Sequence, residues 1–240
     1  MRHSERLGIG GIVILSAFCL LIFGAVRYNL SVASAVISQL PQTVIIDAGH
    51  GGEDGGTTGV TGASESMLNL EISLRLEQIM RFCGINTVMV RTEDTAIYSD
   101  GCETYSEKKV SDLKNRVAMA DRIMPAMLIS IHQNHFPQEQ FAGPQVFYAK
   151  TDGSRSMAQL TQTTLETTLK PASKRPCKAA QSVYLMDKIQ CPGILVECGF
   201  LSNSREEALL QQPDYQKKLI CAITGAFVQY AAKGEQDIEI

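Results

Sequence analysis

A short apolar segment that ends in glycines constrains the fold of this chain more than any other feature. Thr43 to Ile46 are four β-prone residues, followed by Asp47 and by a glycine-rich break at residues 49–52 that contains His50. An apolar run of this length, stopped by glycines, is typical of a buried strand in a parallel sheet. Ligand-binding groups of such sheets collect just beyond the carboxyl ends of the strands, which is where His50 lies.

Further apolar segments predict a sheet whose strands alternate with helices. The other predicted strands lie at residues 86–90, 127–132, 144–149 and 193–197, with a short edge strand at 183–186. Amphipathic and apolar patterns predict helices at residues 68–83, 110–124, 154–169, 204–211 and 214–232. Polar residues 92–109 are expected to form a long surface loop. This alternation predicts an α/β domain with a mostly parallel, twisted sheet and helices on both faces.

The first twenty-six residues include a segment with the length and composition of a membrane helix. Leu7 to Val26 carry no charge, and a helix of this length spans ~30 Å, the thickness of the hydrocarbon layer. Arg2 and Arg6 precede it, which favours a cytoplasmic N-terminus and export of the rest of the chain. Ala33 to Ala35 has the small-x-small form of a cleavage site, so a cleaved signal peptide is the alternative. The length of the apolar run favours a retained anchor.

The rest of the chain is expected to form one exported domain. Residues 27–41 are predicted to be a linker, residues 42–232 a single domain with a sizeable core, and residues 233–240 a disordered tail. The net charge is −3, so nothing suggests nucleic acid as a partner. The sequence therefore favours a globular, extracytoplasmic protein that acts on something other than nucleic acid.

Seven cysteines are present, and six of them follow the apolar N-terminal segment without any Cys-x-x-Cys pair. Six cysteines in an exported chain are compatible with disulfides. Cys83, Cys198 and Cys221, however, fall in apolar helix or strand patterns, where a free cysteine behaves as a small core residue. We therefore expect mostly free thiols.

Three of the apolar strands end in side chains that bind metals or transfer protons: His50, His132 and Glu197. Glu65 is a fourth such residue, at the end of the glycine-rich loop that follows the first strand. Two imidazoles and one carboxylate make a catalytic zinc set, and the remaining glutamate is then free to act as a general base. For Glu65 the alternative is a simple charge at a helix N-terminus. For Glu197 burial without a partner or a function would be costly.

Four motifs in order resemble the zinc-dependent N-acetylmuramoyl-L-alanine amidases. They are Ile-Ile-Asp-Ala-Gly-His-Gly-Gly, Glu-Ser-Met-Leu-Asn-Leu, Ile-Ser-Ile-His-Gln-Asn and Val-Glu-Cys-Gly-Phe-Leu-Ser-Asn, within residues 43–230. The resemblance places the zinc ligands at His50, Glu65 and His132 and the catalytic glutamate at Glu197. Ala48 stands where the family often has proline, which should affect the stiffness of the turn and not the chemistry. A zinc amidase domain at residues 42–232 is thereby implied.

A finer resemblance is to the amidases that remove peptides from muramic acid in the spore cortex. It is carried by four segments, at residues 112–116, 135–137, 143–148 and 197–200. This resemblance implies a peptidoglycan substrate, peptide removal before muramic-lactam formation, a membrane-anchored or secreted location in the cell envelope or between the spore membranes, and possible control by an accessory protein.

Other residues near the motifs have more than one interpretation. Asp47 and Asp54 are expected to orient ligand imidazoles, although Asp54 is equally suited to surface capping. Gln133 and Asn134 are candidates for contacts with glycan or peptide, or for loop hydrogen bonds alone. Arg116 either touches the substrate or pairs with a nearby acid.

Three rival functions use the same sequence features. A zinc peptidase acting on stem peptides would need the same metal set, so that only the pocket distinguishes it. A wall-binding protein with weak catalysis is a different class, and the complete set of four site residues argues against it. A nucleophilic Cys198 is the least favoured reading, because it follows Glu197 on a strand and should point to the opposite face of the sheet.

Overall fold

The structure is a computed structural model, and it describes residues 20–24 and 43–233 of the 240. Residues 1–40 and 41–240 form two separate compact units. In the first unit, residues 20–24 are helical. Most of the expected anchor at residues 7–26, the linker at 27–41 and nearly all of the tail at 233–240 lie outside the described residues. Within the described ranges, no helix is both long and apolar enough to cross a membrane.

The second unit is built on a six-stranded sheet. Its strands are β1 (Thr43–Ala48), β2 (Thr87–Met89), β3 (Ala126–Asn134), β4 (Gln145–Tyr148), β5 (Lys178–Ala179) and β6 (Gly193–Phe200), in the spatial order β2-β1-β3-β6-β4-β5. The first three strands and β6 run parallel. Strand β4 is antiparallel to β6, and β5 runs parallel to β4.

The sheet is therefore mixed. Most of its pairings are parallel, as the sequence predicted, and the pairing of β4 with β6 is the antiparallel exception. The physical reason is the short connection after β3. A return to the opposite edge of the sheet needs a crossover of a dozen or more residues, usually with a helix. Residues 135–144 contain no helix, so the chain enters β4 from the edge at which β3 ended and must run in the opposite direction.

Six helices cover the two faces of the sheet. They are α1 (Glu65–Phe82), α2 (Tyr105–Arg122), α3 (Ser154–Leu169), α4 (Tyr184–Lys188), α5 (Ser204–Leu210) and α6 (Pro213–Lys233). Helix α6 packs against α1 and α3. On the other face, α2 and α4 pack together, and Ala120 and Leu185 join Ile45, Leu128 and Leu195 in one buried cluster. The unit is thus a single α/β domain with helices on both faces.

Two local predictions are wrong. Residues 183–186, expected to be an edge strand, belong mostly to the short helix α4, and the edge strand is β5 instead. The polar loop expected at residues 92–109 is shorter than predicted, because α2 begins at Tyr105. Thr104 and Glu107 form a capping box there, in which each side chain accepts a hydrogen bond from the other's backbone N–H. The Thr-x-x-Glu spacing in the sequence indicates the N-terminus of a helix at this position.

The six cysteines in the described part of the chain are free thiols. Cys191 and Cys198 are buried, whereas Cys83 and Cys221 are exposed. The expected core role therefore holds for Cys198. It is wrong for Cys83, which directly follows α1, and for Cys221 on α6, because both are exposed.

Candidate metal centre

The four predicted site residues lie at one edge of the sheet. Strands β1, β3 and β6 are adjacent and parallel, so their carboxyl ends meet there. His132 on β3 is paired with Glu197 on β6, and His50 lies two residues beyond the end of β1. Glu65 is the first residue of α1. One ligand atom from each of His50, Glu65 and His132 falls within 4.8 Å of the others.

One carboxylate oxygen connects the two imidazoles. Glu65 Oε1 lies 3.2 Å from His50 Nε2 and 3.1 Å from His132 Nδ1. The rings are edge-to-face, with centroids 5.0 Å apart. Ligand atoms bound tetrahedrally to zinc at ~2.0 Å are ~3.3 Å apart, so both the donor types and their spacing fit this metal.

Glu65 is held rigidly in a buried position. Its Oε2 accepts a hydrogen bond from the Thr57 N–H (2.9 Å), and its Oε1 accepts others from the Gln133 N–H (3.2 Å) and from Asn69 Nδ2 (3.4 Å). Burial alone would raise the pKa of Glu65, but hydrogen bonds with His132 and His50 hold it well below its usual range. The side chain is therefore negatively charged at neutral pH and suited to be a metal ligand. It also places a negative charge at the N-terminus of a helix.

The geometry around His50 depends on its neighbours. His50 has a left-handed backbone conformation, with φ of 62°. At Gly49 a Cβ atom would lie 2.2 Å from the ring of His132, so no other residue fits there without displacing that ring. Asp54 Oδ2 lies 3.1 Å from His50 Nδ1 and 3.3 Å from Lys109 Nζ. Asp54 thus orients the imidazole so that Nε2 faces Glu65, as the sequence suggested.

Asp47 does not orient an imidazole, contrary to expectation. Its carboxylate accepts hydrogen bonds from Arg116 and from Ser130 Oγ (2.6 Å). Arg116 also donates to the carbonyls of Ala48 (3.0 Å) and His50 (2.7 Å) and to Asp112 (2.7 Å). Arg116 therefore pairs with acids and fixes the backbone that carries His50.

Sequence reasoning missed a second buried arginine. Arg91 follows β2 and donates to the carbonyls of Ala48 (2.8 Å), Gly49 (3.0 Å) and Ser66 (2.8 Å). It therefore ties the turn before His50 to the first turn of α1, next to Glu65. Its position could have indicated its role, because Arg91 follows an apolar strand, as do His50, His132 and Glu197.

Glu197 faces the metal-site residues across a shared cleft. The cleft has a volume of about 230 Å³, and its walls include His50, His132 and Glu197. The Oε2 atom of Glu197 is buried and has no hydrogen-bond partner among the described residues. Burial raises the pKa of Glu197 to about 7; the charge of Glu65 adds to the rise, and His132 opposes it. A carboxylate with this pKa that lines the cleft and has one oxygen without a hydrogen-bond partner among the described residues is suited to proton transfer.

The side chains of the remaining candidates are not directed at the proposed reaction. The Gln133 side chain is buried and donates to Asn69 Oδ1 (3.2 Å), and the Asn134 carbonyl accepts from the Leu201 N–H (2.8 Å). Both residues therefore have structural hydrogen bonds. Cys198 is buried on the opposite sheet face, and burial raises its pKa strongly. Its thiol is thus neutral and unreactive.

Comparisons with known proteins agree with this geometry. A family model for N-acetylmuramoyl-L-alanine amidase, Amidase_3, matches residues 44–229. The germination-specific N-acetylmuramoyl-L-alanine amidase of Bacillus subtilis is 34% identical over 188 residues, which are 78% of this chain and 78% of that protein.

Solved structures give the same result. The CwlD amidase of Clostridioides difficile, in complex with the GerS lipoprotein, matches with a TM-score of 0.75 and 34% identity over 79% of this chain and 98% of that one. An N-acetylmuramoyl-L-alanine amidase of Clostridium difficile 630 matches with a TM-score of 0.69 and 32% identity over 78% of this chain and 95% of that one. The chain therefore belongs to the Amidase_3 family and is an N-acetylmuramoyl-L-alanine amidase that acts on peptidoglycan.

Proposed function

We propose that His50, Glu65 and His132 hold a zinc ion and that Glu197 is the general base in hydrolysis of the amide bond between N-acetylmuramic acid and L-alanine. The observation that carries the proposal is the convergence of two imidazole nitrogens on one oxygen of Glu65, at 3.1 and 3.2 Å, beside a buried carboxylate oxygen without a partner. Zinc bound there would supply Lewis acidity toward the amide carbonyl and the attacking water.

The protein's own residues account for the proton transfers. Glu197 as a carboxylate accepts a proton from the water that attacks the carbonyl carbon, and then returns it to the departing nitrogen of L-alanine. Its position is fixed because β6 lies in the middle of the sheet, paired with β3 and β4. Asp54 keeps the His50 imidazole in one orientation, and Arg91 and Arg116 hold the backbone before it.

The decisive experiment is mass spectrometry of purified peptidoglycan incubated with the zinc-loaded protein. We expect free stem peptides that begin with L-alanine, together with muramic acid that carries no peptide. A peptidase would instead leave shortened peptides attached to muramic acid, and a wall-binding protein would release nothing. Either of these results would contradict the proposal.

The proposal extends to the spore cortex. It is supported by the 34% identity to the germination-specific amidase of Bacillus subtilis and by the match to CwlD. In the cortex, this activity would remove peptides from muramic acid before muramic-lactam formation. Disruption of the gene should then leave spores whose cortex retains peptide-bearing muramic acid and lacks the lactam, measured by muropeptide analysis. An unchanged cortex would restrict the activity to other wall material.

Location and partner complete the proposal. The protein works outside the cytoplasm, as cell-wall amidases of the envelope and the spore do. We propose that residues 7–26 hold it there as a membrane anchor. Cell fractionation should then find the protein in the membrane fraction with the mass of the full-length chain, whereas a secreted product that starts near residue 36 would show cleavage.

The match to a structure solved with the GerS lipoprotein supports an exported accessory protein as a partner of this chain. Full activity and tight zinc binding by the isolated protein would contradict the need for such a partner.

A further inference from the structure

A second cavity borders the metal-site cleft and enlarges it toward the sheet edge. It has a volume of about 640 Å³, and its walls include Phe147, Lys178, Gln181, Val183, Leu195 and Glu197. Val183, Leu195 and Glu197 also line the metal-site cleft, so the two cavities meet at the proposed base. A substrate whose scissile amide lies at Glu197 therefore has room on both sides of that bond.

The floor of this groove is apolar and ends at a cation. Leu195 on β6 is paired with Phe147 on β4, which is paired in turn with Lys178 on β5. Paired residues project to the same face of a sheet, so the three side chains form one row across the strands. Lys178 is exposed and makes no ion pair with any residue in the described ranges. In the metal-site cleft, by contrast, Lys109 and Arg116 are neutralised by Asp54 and Asp47.

We propose that this groove binds the stem peptide of the substrate and that Lys178 binds a carboxylate of that peptide. Glu197 and Lys178 are two residues apart along the strands and two strands apart across the sheet, which corresponds to ~12 Å. An extended peptide covers that distance in about three or four residues. The carboxylate bound by Lys178 therefore belongs to a residue near the third position of the stem, and Lys178 determines specificity for long stems.

Kinetics on muramoyl peptides of defined length test this subsite. Lys178→Ala should raise KM about fivefold on a substrate with a three-residue stem that bears free carboxylates, with kcat unchanged, because the ion pair contributes to binding alone. On a substrate that carries L-alanine only, the variant should match the parent. Lys178→Arg should restore the parent KM, since it keeps the charge.

Lys150→Ala is the matched control, because Lys150 is exposed on the same part of the fold and pairs with Asp187 outside the groove. It should leave KM unchanged on both substrates. The subsite proposal would be overturned if Lys178→Ala had the parent KM on the substrate with the three-residue stem, or if its KM rose equally on both substrates. The amidase assignment is tested separately, because it requires only that the parent cleaves either substrate.

An independent observation concerns Glu207, a fully buried carboxylate in the first turn of α5. It accepts hydrogen bonds from the Thr61 N–H (2.9 and 3.0 Å), the Thr61 hydroxyl (2.7 Å) and the Ala63 N–H (3.4 Å). A Cβ atom at Gly59 would lie 2.2 Å from its Oε1. The loop thus wraps closely around this charge, which a buried carboxylate requires in the absence of a cation.

The loop held by Glu207 is the one that delivers Glu65. Beyond the contact at Thr61, Thr58 and Ser64 form a bridge across the loop. Next to it, the Glu65 N–H donates to the Thr57 carbonyl (3.0 Å), while the Thr57 N–H donates to Glu65 Oε2 (2.9 Å). Hydrogen bonds across the loop, joined by the loop's own backbone, therefore connect Glu207 with Oε2 of the proposed metal ligand Glu65.

We infer that Glu207 is a positioning residue for the metal site, an inference that rests on the proposed zinc site. Glu207→Gln replaces one acceptor oxygen with a donor that faces the loop's N–H groups. It should weaken zinc binding about 10-fold, the low end of the effect of disturbing a ligand's own partner, because Glu207 acts on Glu65 through the loop. At saturating zinc, kcat should return to near the parent value. Amide hydrogen exchange at Thr61 and Ala63 should become faster.

Glu206→Gln is the matched control, because Glu206 is an adjacent carboxylate that holds the N–H groups of Gly143 (2.7 Å) and Phe200 (2.9 Å), away from the Glu65 loop. It should reduce stability without changing zinc affinity. If Glu207→Gln does not fold, Thr61→Val, which removes only the hydroxyl donor, should weaken zinc binding by a smaller factor.

Chelator competition on the folded fraction gives the decisive measurement. Zinc affinity equal to the parent's in the folded variants would overturn the role of Glu207 and leave the zinc site intact. Failure of the parent itself to bind one zinc would instead refute the proposed function.

Discussion

His132 and Glu197 are paired residues on the neighbouring parallel strands β3 and β6. Their side chains project from the same face of the sheet, because paired residues of adjacent strands share a face. One strand pair therefore places a proposed zinc ligand and the proposed base side by side. His50 lies in the loop that follows β1, and Glu65 is the first residue of α1, directly after that loop. The position of the proposed base Glu197 is therefore fixed by the sheet, whereas the positions of His50 and Glu65 depend on the conformation of the loop between them.

The two glutamates should respond differently to the same substitution. Glu197→Gln keeps the size of the side chain but cannot accept a proton, so turnover should fall ~10²–10⁴-fold while zinc content stays near the parent's. Glu65→Gln should lower zinc content first, because the metal loses its anionic ligand. Elemental analysis and turnover on peptidoglycan measure both quantities. Zinc loss in Glu197→Gln with retention in Glu65→Gln would mean that the two roles are reversed.

Either histidine should be essential for metal retention. His50→Ala or His132→Ala leaves two protein ligands, too few to hold zinc against dialysis, so stoichiometry should fall from one per chain toward zero and activity should be lost. Asp54→Asn provides a graded comparison, because it keeps all three proposed ligands but removes the charge that orients His50 Nδ1 and pairs with Lys109; it should weaken zinc affinity ~10–100-fold. Stoichiometric zinc in either alanine variant would refute the ligand assignment.

The sequence predicts the site better than the topology around it. His50, His132 and Glu197 follow apolar runs whose strand character is strong. Parallel strands present such ends at one edge of the sheet, and the adjacency of β1, β3 and β6 then brings the three residues together. The direction of β4 was not predictable in the same way, because it depends on residues 135–144 lacking a crossover helix. Residues 183–186 have β-prone side chains but form the start of α4, because their apolar side chains pack against α2 rather than along the sheet edge.

The partners of buried charges were the least predictable part. Asp47 was expected next to an imidazole, but its actual partner, Arg116, lies sixty-nine residues away in the chain. Arg91 and Glu207 bind backbone groups, and sequence patterns carry no sign of which backbone groups a side chain will reach. Such contacts are decided only when the loops close over the sheet.

The stability of the metal-free protein should reveal the burial of Glu197. Burial raises the pKa of Glu197 to about 7 from 4.5, so the folded state favours the protonated form. This contribution is fully present below pH 4.5 and is lost as the pH rises through about 7. Glu197→Gln should therefore gain stability relative to the parent at pH 8, compared with the difference at pH 4. Urea unfolding at both pH values measures it, and a difference independent of pH would contradict the raised pKa.

Arg116 should matter for stability more than a surface arginine of the same helix. Arg116→Leu leaves Asp47 buried without its cation and three other acceptors without their donor, which should cost about 3–5 kcal/mol in the free energy of unfolding. Arg122→Leu is the control, since Arg122 is exposed at the end of α2, and its effect should stay within about 0.5 kcal/mol.

A double variant separates the charge of Arg116 from its contacts with the backbone. Asp47→Asn combined with Arg116→Leu removes the stranded charge and should recover part of the lost stability, because the remaining amide is cheaper to bury than a carboxylate. The residual loss then comprises the hydrogen bonds to the carbonyls of Ala48 and His50 and the ion pair with Asp112. Since those bonds fix the backbone of a proposed ligand, the double variant should still bind zinc more weakly than the parent. Parent-like zinc affinity in the folded double variant would show that Arg116 stabilises the fold without positioning His50.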